Sequence, residues 1–396
     1  MLRYYRKSFC FMLDKLKNIE KNPELILDTY ELQMYMINKI KYIEKKIFNI
    51  KNLTNTLKVS FNNNLTNNQK IDITKKIKQY NQKISDYKKL ITLIKMIGDG
   101  IAFVYVDKYN IKPFAFKQNS GFISGKEGLK NELKTLRYFY DNNIIAILND
   151  ITNSLRYGDI TVPLAQYPYI VEVKSSKNTN KRIERQKQNI ANLMRYIETD
   201  KGKGIYDENI EMIRVDIHSK ELNHVRDFNK CIEHAYKYGN CIEEIETGLM
   251  YYIECQECDF EIIAKTITTK MKEPIFFFLN EEKYNTLGYY PFTLSIESRS
   301  HLIDFYNGDI LLNVIIDLKV VEQKLYDKGL IVKFNLDELY TLSITYKENP
   351  NFDENKGLLK VSYHYFNRIS NEFISLDWFI NELSYKFKEK LKIMLD

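Results

Sequence analysis

The sequence predicts an α/β protein in which a mixed sheet is flanked by helices, with a helical hairpin before it and an α+β domain after it. Heptad-spaced apolar residues dominate residues 1–97, and short β-branched runs alternate with amphipathic helices in residues 98–254. Aromatic-rich strands and further helices occupy residues 255–396. We therefore predict three domains with these boundaries, and a chain of 396 residues is long enough to give them sizeable cores.

The charge is distributed unevenly along the chain. The net charge is +7, and residues 1–100 contain 20 basic and 9 acidic residues, whereas the remainder has 39 basic and 43 acidic residues. A basic N-terminal part is suited to attracting nucleic acid phosphates. Lysines on solvated helix faces explain the same excess, so the charge alone leaves both interpretations open.

Targeting and redox features favour a cytoplasmic protein. Arg3, Arg6 and Lys7 are followed by only a short apolar run, which is not typical of a signal peptide, and no apolar stretch approaches the length of a membrane span. Five cysteines in so long a chain do not make a disulfide framework. We therefore expect no membrane partner and reduced thiols.

Two stretches of the first 97 residues carry apolar residues at heptad spacing. These are Met36, Ile40, Ile43, Ile47 and Ile50 in the first stretch, and Ile73, Ile77, Tyr80, Ile84, Tyr87, Ile91 and Ile94 in the second. Asparagine-rich sequence separates them, so the pattern predicts two helices that pair as a hairpin. The hairpin is suited to packing within the chain, to homo-oligomer or partner-protein contact, or to clamping DNA.

The next elements lead into the candidate site. Gly98 to Gly100 is expected to end the second helix, and residues 101–106 and 111–116 are expected to form a short β pair. A helix is predicted over residues 126–140, followed by a strand over residues 144–149.

The predicted helix carries an acidic residue on its apolar side. Glu132 lies three residues after Leu129 and four before Leu136, so it points with the buried stripe, whereas Glu127 falls on the other side. A buried carboxylate is costly unless it is paired or binds a metal. The alternative is that Glu132 lies at the edge of the stripe and reaches solvent.

A β-hairpin follows. Its strands are predicted at residues 156–162 and 169–174, with Pro163 and Pro168 bounding the turn. A hairpin that is symmetric about this turn places Val162 opposite Tyr169.

The same symmetry places Asp159 opposite Glu172, and alternation along the strand puts Lys174 on the face of Glu172. Two opposed carboxylates repel unless a cation lies between them. Oxygen ligands suit Mg²⁺, Mn²⁺ or Ca²⁺, and an adjacent lysine can deprotonate or orient a water. This arrangement indicates metal-assisted hydrolysis of a phosphodiester.

The spacing of these residues resembles that of the PD-(D/E)XK, or restriction-endonuclease-like, nuclease superfamily. Gly158-Asp159 is followed after twelve residues by Glu172-Val173-Lys174, although the proline of the motif's name is missing. The resemblance covers residues 125–218. It implies a restriction-endonuclease-like sheet flanked by helices, with Mg²⁺ or Mn²⁺ as the cofactor.

The resemblance also implies roles for single residues. Asp159, Glu172 and the helix residue Glu132 are expected to be catalytic metal ligands, and Lys174 is expected to take part in catalysis. Gln186 interrupts the apolar face of a helix predicted over residues 181–197, where relatives carry a polar residue that supports the active site or holds substrate.

The flanks of this helix are basic. Arg182, Arg185 and Lys187 are candidates for binding phosphates, although a solvated basic face is an equal interpretation. A strand over residues 213–217 and a helix over residues 221–238 are expected to complete a βαβ arrangement.

The C-terminal third resembles no family that we identify. The pattern predicts strands at 274–279, 290–296, 310–316 and 340–346, and helices at 317–325 and 377–393. Cys255 and Cys258 form a CxxC, but the second ligand pair of a zinc module is missing, so we expect free thiols.

These features favour a metal-dependent nuclease, with DNA as the preferred substrate and endonuclease cleavage. Resemblance alone suggests a place in prokaryotic anti-phage defence or restriction. Two alternatives remain at this stage, an RNA-cleaving nuclease and a non-catalytic nucleic-acid-binding or scaffold protein on a nuclease fold.

Overall fold

The computed structural model describes residues 2–61, 66–116, 121–126, 128–164, 166–173, 181–205, 211–214, 217–335, 340–353 and 357–395. The chain divides into two compact units, Met1–Arg214 and Val215–Asp396. Both combine helices with small antiparallel sheets. This division differs from the predicted boundaries after residues 97 and 254, because the N-terminal helices belong to the same unit as the candidate site.

Three long helices begin the first unit. They are α1 (Leu2–Lys21), α2 (Ile26–Phe61) and α3 (Asn67–Tyr105), and each packs against the other two. The predicted pairing of two helices is confirmed as α2 and α3. Its seam is buried at Ile91 and Ile94 but only half-buried from Ile73 to Tyr87.

The predicted end of the second helix is wrong. Helix α3 continues through Gly98 to Gly100 and ends at Tyr105. The predicted β pair is also wrong, because the chain forms helix α4 (Lys108–Ile111) and a 3₁₀ helix (Lys112–Phe116) instead.

The packing of Gly98 explains why the helix continues through this run. A Cβ atom on Gly98 would lie 2.1 Å from the carbonyl oxygen of Ile151, so only glycine lets the helix approach this segment. The next residue, Asp99, accepts hydrogen bonds of 2.8 Å from the backbone amides of Asn153 and Ser154. The Gly-Asp-Gly run therefore joins α3 to residues 151–154.

We expect Gly98→Ala to lower the free energy of unfolding by about 1–3 kcal/mol, because the new methyl group must displace the backbone at Ile151. Alanine normally stabilises a helix relative to glycine, so the sign of the effect is diagnostic. Urea unfolding measures it, with Gly121→Ala as the control because no atom of the described residues lies within 4 Å of its Cβ position. A stabilised Gly98→Ala protein would contradict the close packing.

The rest of the first unit holds the candidate site. Helix α5 (Leu129–Asp141) precedes strand β1 (Ile147–Leu148), a 3₁₀ helix (Asn149–Ile151), strand β2 (Ile160–Val162) and strand β3 (Tyr169–Val171). The strands form an antiparallel sheet in the order β1-β2-β3. Helix α6 (Lys181–Thr199) and the antiparallel pair β4 (Lys201–Lys203) and β5 (Glu211–Ile213) follow.

The register of the hairpin agrees with the prediction. Val162 pairs with Tyr169, and the last paired residues are Ile160 and Val171. The strands are shorter than predicted, so Asp159 and Glu172 lie just beyond the ends of the ladder instead of inside it.

The predicted mixed sheet is not observed. Every strand pairing in the described ranges is antiparallel, and β5 pairs with β4 instead of extending the first sheet. Short connections join β1, β2 and β3, and short connections allow only antiparallel neighbours. The helix predicted at residues 221–238 lies in the second unit, so the expected βαβ closure is wrong.

The second unit contains two antiparallel sheets. The first has the order β6-β7-β9-β8, and the second has the order β10-β11-β12. Their strands are β6 (Asn240–Glu246), β7 (Leu249–Glu254), β8 (Pro274–Phe278), β9 (Leu311–Asp317), β10 (Leu330–Phe334), β11 (Tyr340–Tyr346) and β12 (Leu359–Ser362). Its helices are α7 (Val225–Tyr238), α8 (Phe260–Lys270), α9 (Leu279–Glu282), α10 (Phe292–Ser295), α11 (Arg299–Asn307), α12 (Leu318–Asp327), α13 (Tyr363–Phe366), α14 (Arg368–Asn371) and α15 (Leu376–Leu395).

Most of the elements predicted here are confirmed as β8, β9, β11, α12 and α15. The strand predicted at 290–296 is wrong, because Pro291 sits at the N-cap of the short helix α10. Among the helices in the described ranges, none is long and apolar enough to cross a membrane.

Candidate active site

Four carboxylates gather at one end of the first sheet. Glu132 lies on α5, Asp150 lies in the 3₁₀ helix after β1, and Asp159 and Glu172 flank the paired ends of β2 and β3. The charges of the other three all act on Glu132. The fold thus brings together acidic groups from four segments that are not continuous in sequence.

Glu132 is the most buried of the four. Its residue surface is 4% exposed, which confirms that it lies on the buried side of the helix. Its Oε1 atom lies 3.9 Å from Lys126 Nζ, and Oε2 makes no hydrogen bond within the part of the chain that is described. Burial raises the pKa of Glu132 to about 7; Asp159, Asp150 and Glu172 add to the rise, and Lys126 opposes it.

Asp159 is fixed by the strand that carries Glu172. Its Oδ2 atom accepts a hydrogen bond of 2.8 Å from the backbone amide of Val173, and its own amide donates to Val171 O at 2.9 Å. These bonds hold the two strand ends together beyond the last ladder pair. They also fix the backbone immediately before residue 174.

Two lysines that the sequence patterns did not single out lie near the carboxylates. Lys126 forms an ion pair with Asp150. Burial alone would lower the pKa of Lys126, but Asp150, Glu132 and Asp159 raise it above its usual value. Burial lowers the pKa of Lys95 on α3, and the charge of Asp150 opposes that shift.

The sequence contains a signal for Asp150 as a site residue. Asp150 directly follows the strand predicted at residues 144–149, and a polar residue at the end of a core strand is a common site position. The sequence contains no such signal for Lys126 and Lys95, because lysine is common throughout the chain and neither residue stands at a distinctive spacing.

Buried polar residues of the N-terminal helices position this site. Gln33 on α2 donates to Ala146 O at 2.9 Å and accepts from the Leu148 amide at 2.9 Å, so it fixes β1 at both sides. Glu44 on α2 accepts from the Ile123 amide at 2.9 Å and so fixes the segment before Lys126. Together with Asp99, these contacts make α2 and α3 part of the site's framework.

The remaining predicted site residues either do not act on Glu132 or fall outside the described ranges. Gln186 is half-buried on α6, Arg185 and Lys187 are exposed, and none of the three is among the groups that shift Glu132. Lys174, Glu127 and the side chain of Arg182 lie outside the described residues.

A basic cleft lies beside α6. It has a volume of about 720 Å³, and its lining includes Arg195, Lys201 and Lys203 together with amide side chains. No sequence motif pointed to these three basic residues. They lie near the C-terminal end of α6 and on β4, beyond the stretch that carries the motif.

The donor set fits a hard divalent cation. All four acidic groups offer carboxylate oxygens, and Glu132 Oε2 is a buried acceptor that lacks a hydrogen bond in the described ranges. Among described residues, no three of these carboxylates bring oxygens within 4.8 Å of one another. These side chains therefore have to move closer together to hold one Mg²⁺ ion, which usually keeps several waters beside its protein carboxylates.

We expect Lys126→Met to increase the affinity of the site for Mg²⁺, because the lysine charge repels the cation and holds Asp150. Without Mg²⁺ the variant should be less stable by about 1–2 kcal/mol, since the carboxylates lose a compensating charge at a partly exposed position. The Mg²⁺-dependent shift of the unfolding midpoint measures both effects. Lys130→Met, at an exposed position on α5, is the control. A Mg²⁺ shift no larger than that of the wild type would contradict the prediction.

Comparisons of the chain with protein-family models, with curated proteins and with solved structures found no match.

Proposed function

We propose that this chain is a metal-dependent nuclease that hydrolyses phosphodiester bonds, with DNA as the favoured substrate and Mg²⁺ or Mn²⁺ as the cofactor. The observation that carries the proposal is the buried, acidic environment of Glu132. One oxygen of this buried carboxylate makes no hydrogen bond in the described ranges, and three further carboxylates act on it. A divalent cation removes both the desolvation cost and the mutual repulsion.

Asp159, Glu172 and Glu132 are the residues that would hold the cation. Asp150 is already engaged by Lys126. When bound, the cation supplies Lewis-acid polarisation of the phosphodiester and lowers the pKa of a coordinated water. The backbone amide of Val173 keeps Asp159 oriented, and Gln33 and Glu44 keep the surrounding segments in place.

Other groups of the chain would handle protons and substrate. The pKa of Glu132, at about 7, lets it bind or release a proton near neutrality in the absence of a cation. Lys174, which follows the anchored residue Val173, is proposed as general base or as a charge that stabilises the transition state. The basic side chains of α6 and β4 would contact substrate phosphates and position the backbone.

One observation favours a second role. The ion pair between Lys126 and Asp150 already places a positive charge within the acidic group. If that lysine takes the place of a cation beside Asp150, the unit would bind nucleic acid through its basic side chains without cleaving it. The cleavage test below separates the two roles.

The test is to incubate the purified full chain with supercoiled plasmid, linear duplex DNA and total RNA, each with Mg²⁺, Mn²⁺ or EDTA. We expect plasmid to be nicked or linearised with Mg²⁺ or Mn²⁺ and to remain intact with EDTA. Cleavage of RNA alone would change the substrate class. Undiminished cleavage in EDTA would overturn the metal mechanism, and binding without cleavage in every condition would favour the second role.

A further inference from the structure

A second group of potential ligands lies in the second unit, apart from the carboxylates. Cys231 on α7 and Cys241 and Glu243 on β6 each offer one ligand atom, and these atoms all lie within 4.8 Å of one another. Both cysteines are buried and reduced, whereas Glu243 is exposed. Among the described residues, this set of two thiols and one carboxylate is the group of three potential ligands that meets this spacing.

Local structure explains why the three side chains meet. Helix α7 ends at Tyr238, and Gly239 adopts a φ of 95°, a left-handed conformation that turns the chain directly into β6. Cys241 and Glu243 are two residues apart on that strand and therefore share one face. Helix α7 packs against β6 and presents Cys231, whose thiol donates to Glu243 Oε2 at 3.4 Å.

We propose that Cys231, Cys241 and Glu243 form a binding site for a zinc-class cation. Zinc bonds to sulfur are about 2.3 Å long, so tetrahedral ligands lie about 3.8 Å apart. Ligand atoms that already lie within 4.8 Å of one another need to move by only about 1 Å to reach that spacing. Thiolate ligands select zinc over the hard cations that suit the carboxylates of the first unit.

Zinc binding would displace the thiol protons of both cysteines. It would also replace the weak thiol–carboxylate contact between Cys231 and Glu243 with bonds to all three ligands.

A cleft borders two of the three proposed ligands. This cleft has a volume of about 610 Å³, and its lining includes Cys241, Glu243 and His234. His234 lies on α7 one turn after Cys231 and is exposed, so it stands on the same side of the helix as the proposed ligand. A water molecule or the His234 imidazole would complete the set.

The CxxC motif of the same unit supplies matched control variants for the proposed ligands. Cys255 and Cys258 belong to the same unit but not to the group of ligand atoms within 4.8 Å. The thiol of Cys258 accepts from Asn240 Nδ2 at 3.1 Å and donates to Gln256 O at 3.0 Å. Cys258 also lines the same cleft, so Cys258→Ser tests proximity without removing a proposed ligand.

The experiment uses the full chain, stripped of metal with a chelator and kept reduced. Co²⁺ is titrated as a spectroscopic probe, and Zn²⁺ affinity is measured by competition with a chromophoric chelator. We expect thiolate-to-cobalt charge-transfer absorption at one equivalent, and zinc should raise the melting temperature. Cys231→Ser or Cys241→Ser should weaken zinc binding by at least about 100-fold and abolish the charge-transfer band.

Controls and further variants make the outcome decisive. Cys258→Ser and Cys255→Ser should retain wild-type zinc affinity, and Glu243→Gln, at an exposed position that leaves the core intact, should weaken it about 10-fold or more. Absence of the charge-transfer band in the wild-type chain would overturn the proposal. An equal loss of zinc affinity in Cys258→Ser and Cys231→Ser would also overturn it. The same holds for a Cys231–Cys241 disulfide that forms in the presence of reductant.

Discussion

Asp159→Asn is expected to lower single-turnover cleavage of DNA by at least about 10³-fold, the effect of losing several kcal/mol of metal-derived transition-state stabilisation. Asparagine keeps a carbonyl oxygen that can accept from the Val173 amide at the position of Asp159 Oδ2. The variant therefore loses the charge but keeps the contact that joins the two strand ends. Its unfolding free energy should remain close to that of the wild type.

Asp141→Asn is the matched control for this variant. Asp141 is an exposed carboxylate on α5 that pairs only loosely with Arg137, at 3.6 Å, so its replacement should leave cleavage unchanged. Cleavage by Asp159→Asn at the wild-type rate would mean that the reaction occurs elsewhere in the chain.

Glu132→Gln is expected to change the pH dependence of stability. The folded-state pKa of Glu132, about 7, lies above its ordinary value of 4.5, so folding favours the protonated form. The contribution of Glu132 to the free energy of unfolding is fully present below about pH 4.5 and is lost as the pH rises through 7. In the absence of metal, the wild-type chain should therefore lose up to about 3 kcal/mol over this interval.

The glutamine side chain cannot ionise, so the variant should show a flatter profile and greater stability than the wild type at pH 8. Mg²⁺ should restore stability to the wild type at that pH but not to the variant. Urea unfolding at several pH values, with and without Mg²⁺, measures both effects, and Asp141→Asn again serves as the control. A wild-type profile that does not fall between these pH values would refute the assignment of a raised pKa to Glu132.

Local patterns predicted the features that depend on neighbouring residues. The two prolines and the β-branched strands were sufficient to place Val162 opposite Tyr169. Helical spacing was sufficient to place Glu132 on the buried side of α5. Both follow from the periods of strand and helix, which can be read without tertiary information.

Features that depend on distant contacts could not be predicted in this way. The contact between Gln33 and Leu148 joins residues 115 positions apart, and that between Asp99 and Ser154 joins residues 55 apart. Gly98 to Gly100 has the composition of a helix end, but its tertiary role against Ile151 overrides that local preference. The N-terminal helices were consequently assigned to a separate domain, although they help to build the site.

Titration of Mn²⁺ into the metal-free, full-length chain at neutral pH, followed by electron paramagnetic resonance, is the most direct test of the cation site. Mn²⁺ prefers oxygen ligands, so the two cysteines of the second unit do not compete for it. The wild-type chain should bind Mn²⁺ at the carboxylates, and Asp159→Asn and Glu132→Gln should each weaken that binding while Asp141→Asn retains it. Absence of Mn²⁺ binding by the wild type, or equal binding by all four proteins, would contradict the assignment of these carboxylates as the active site.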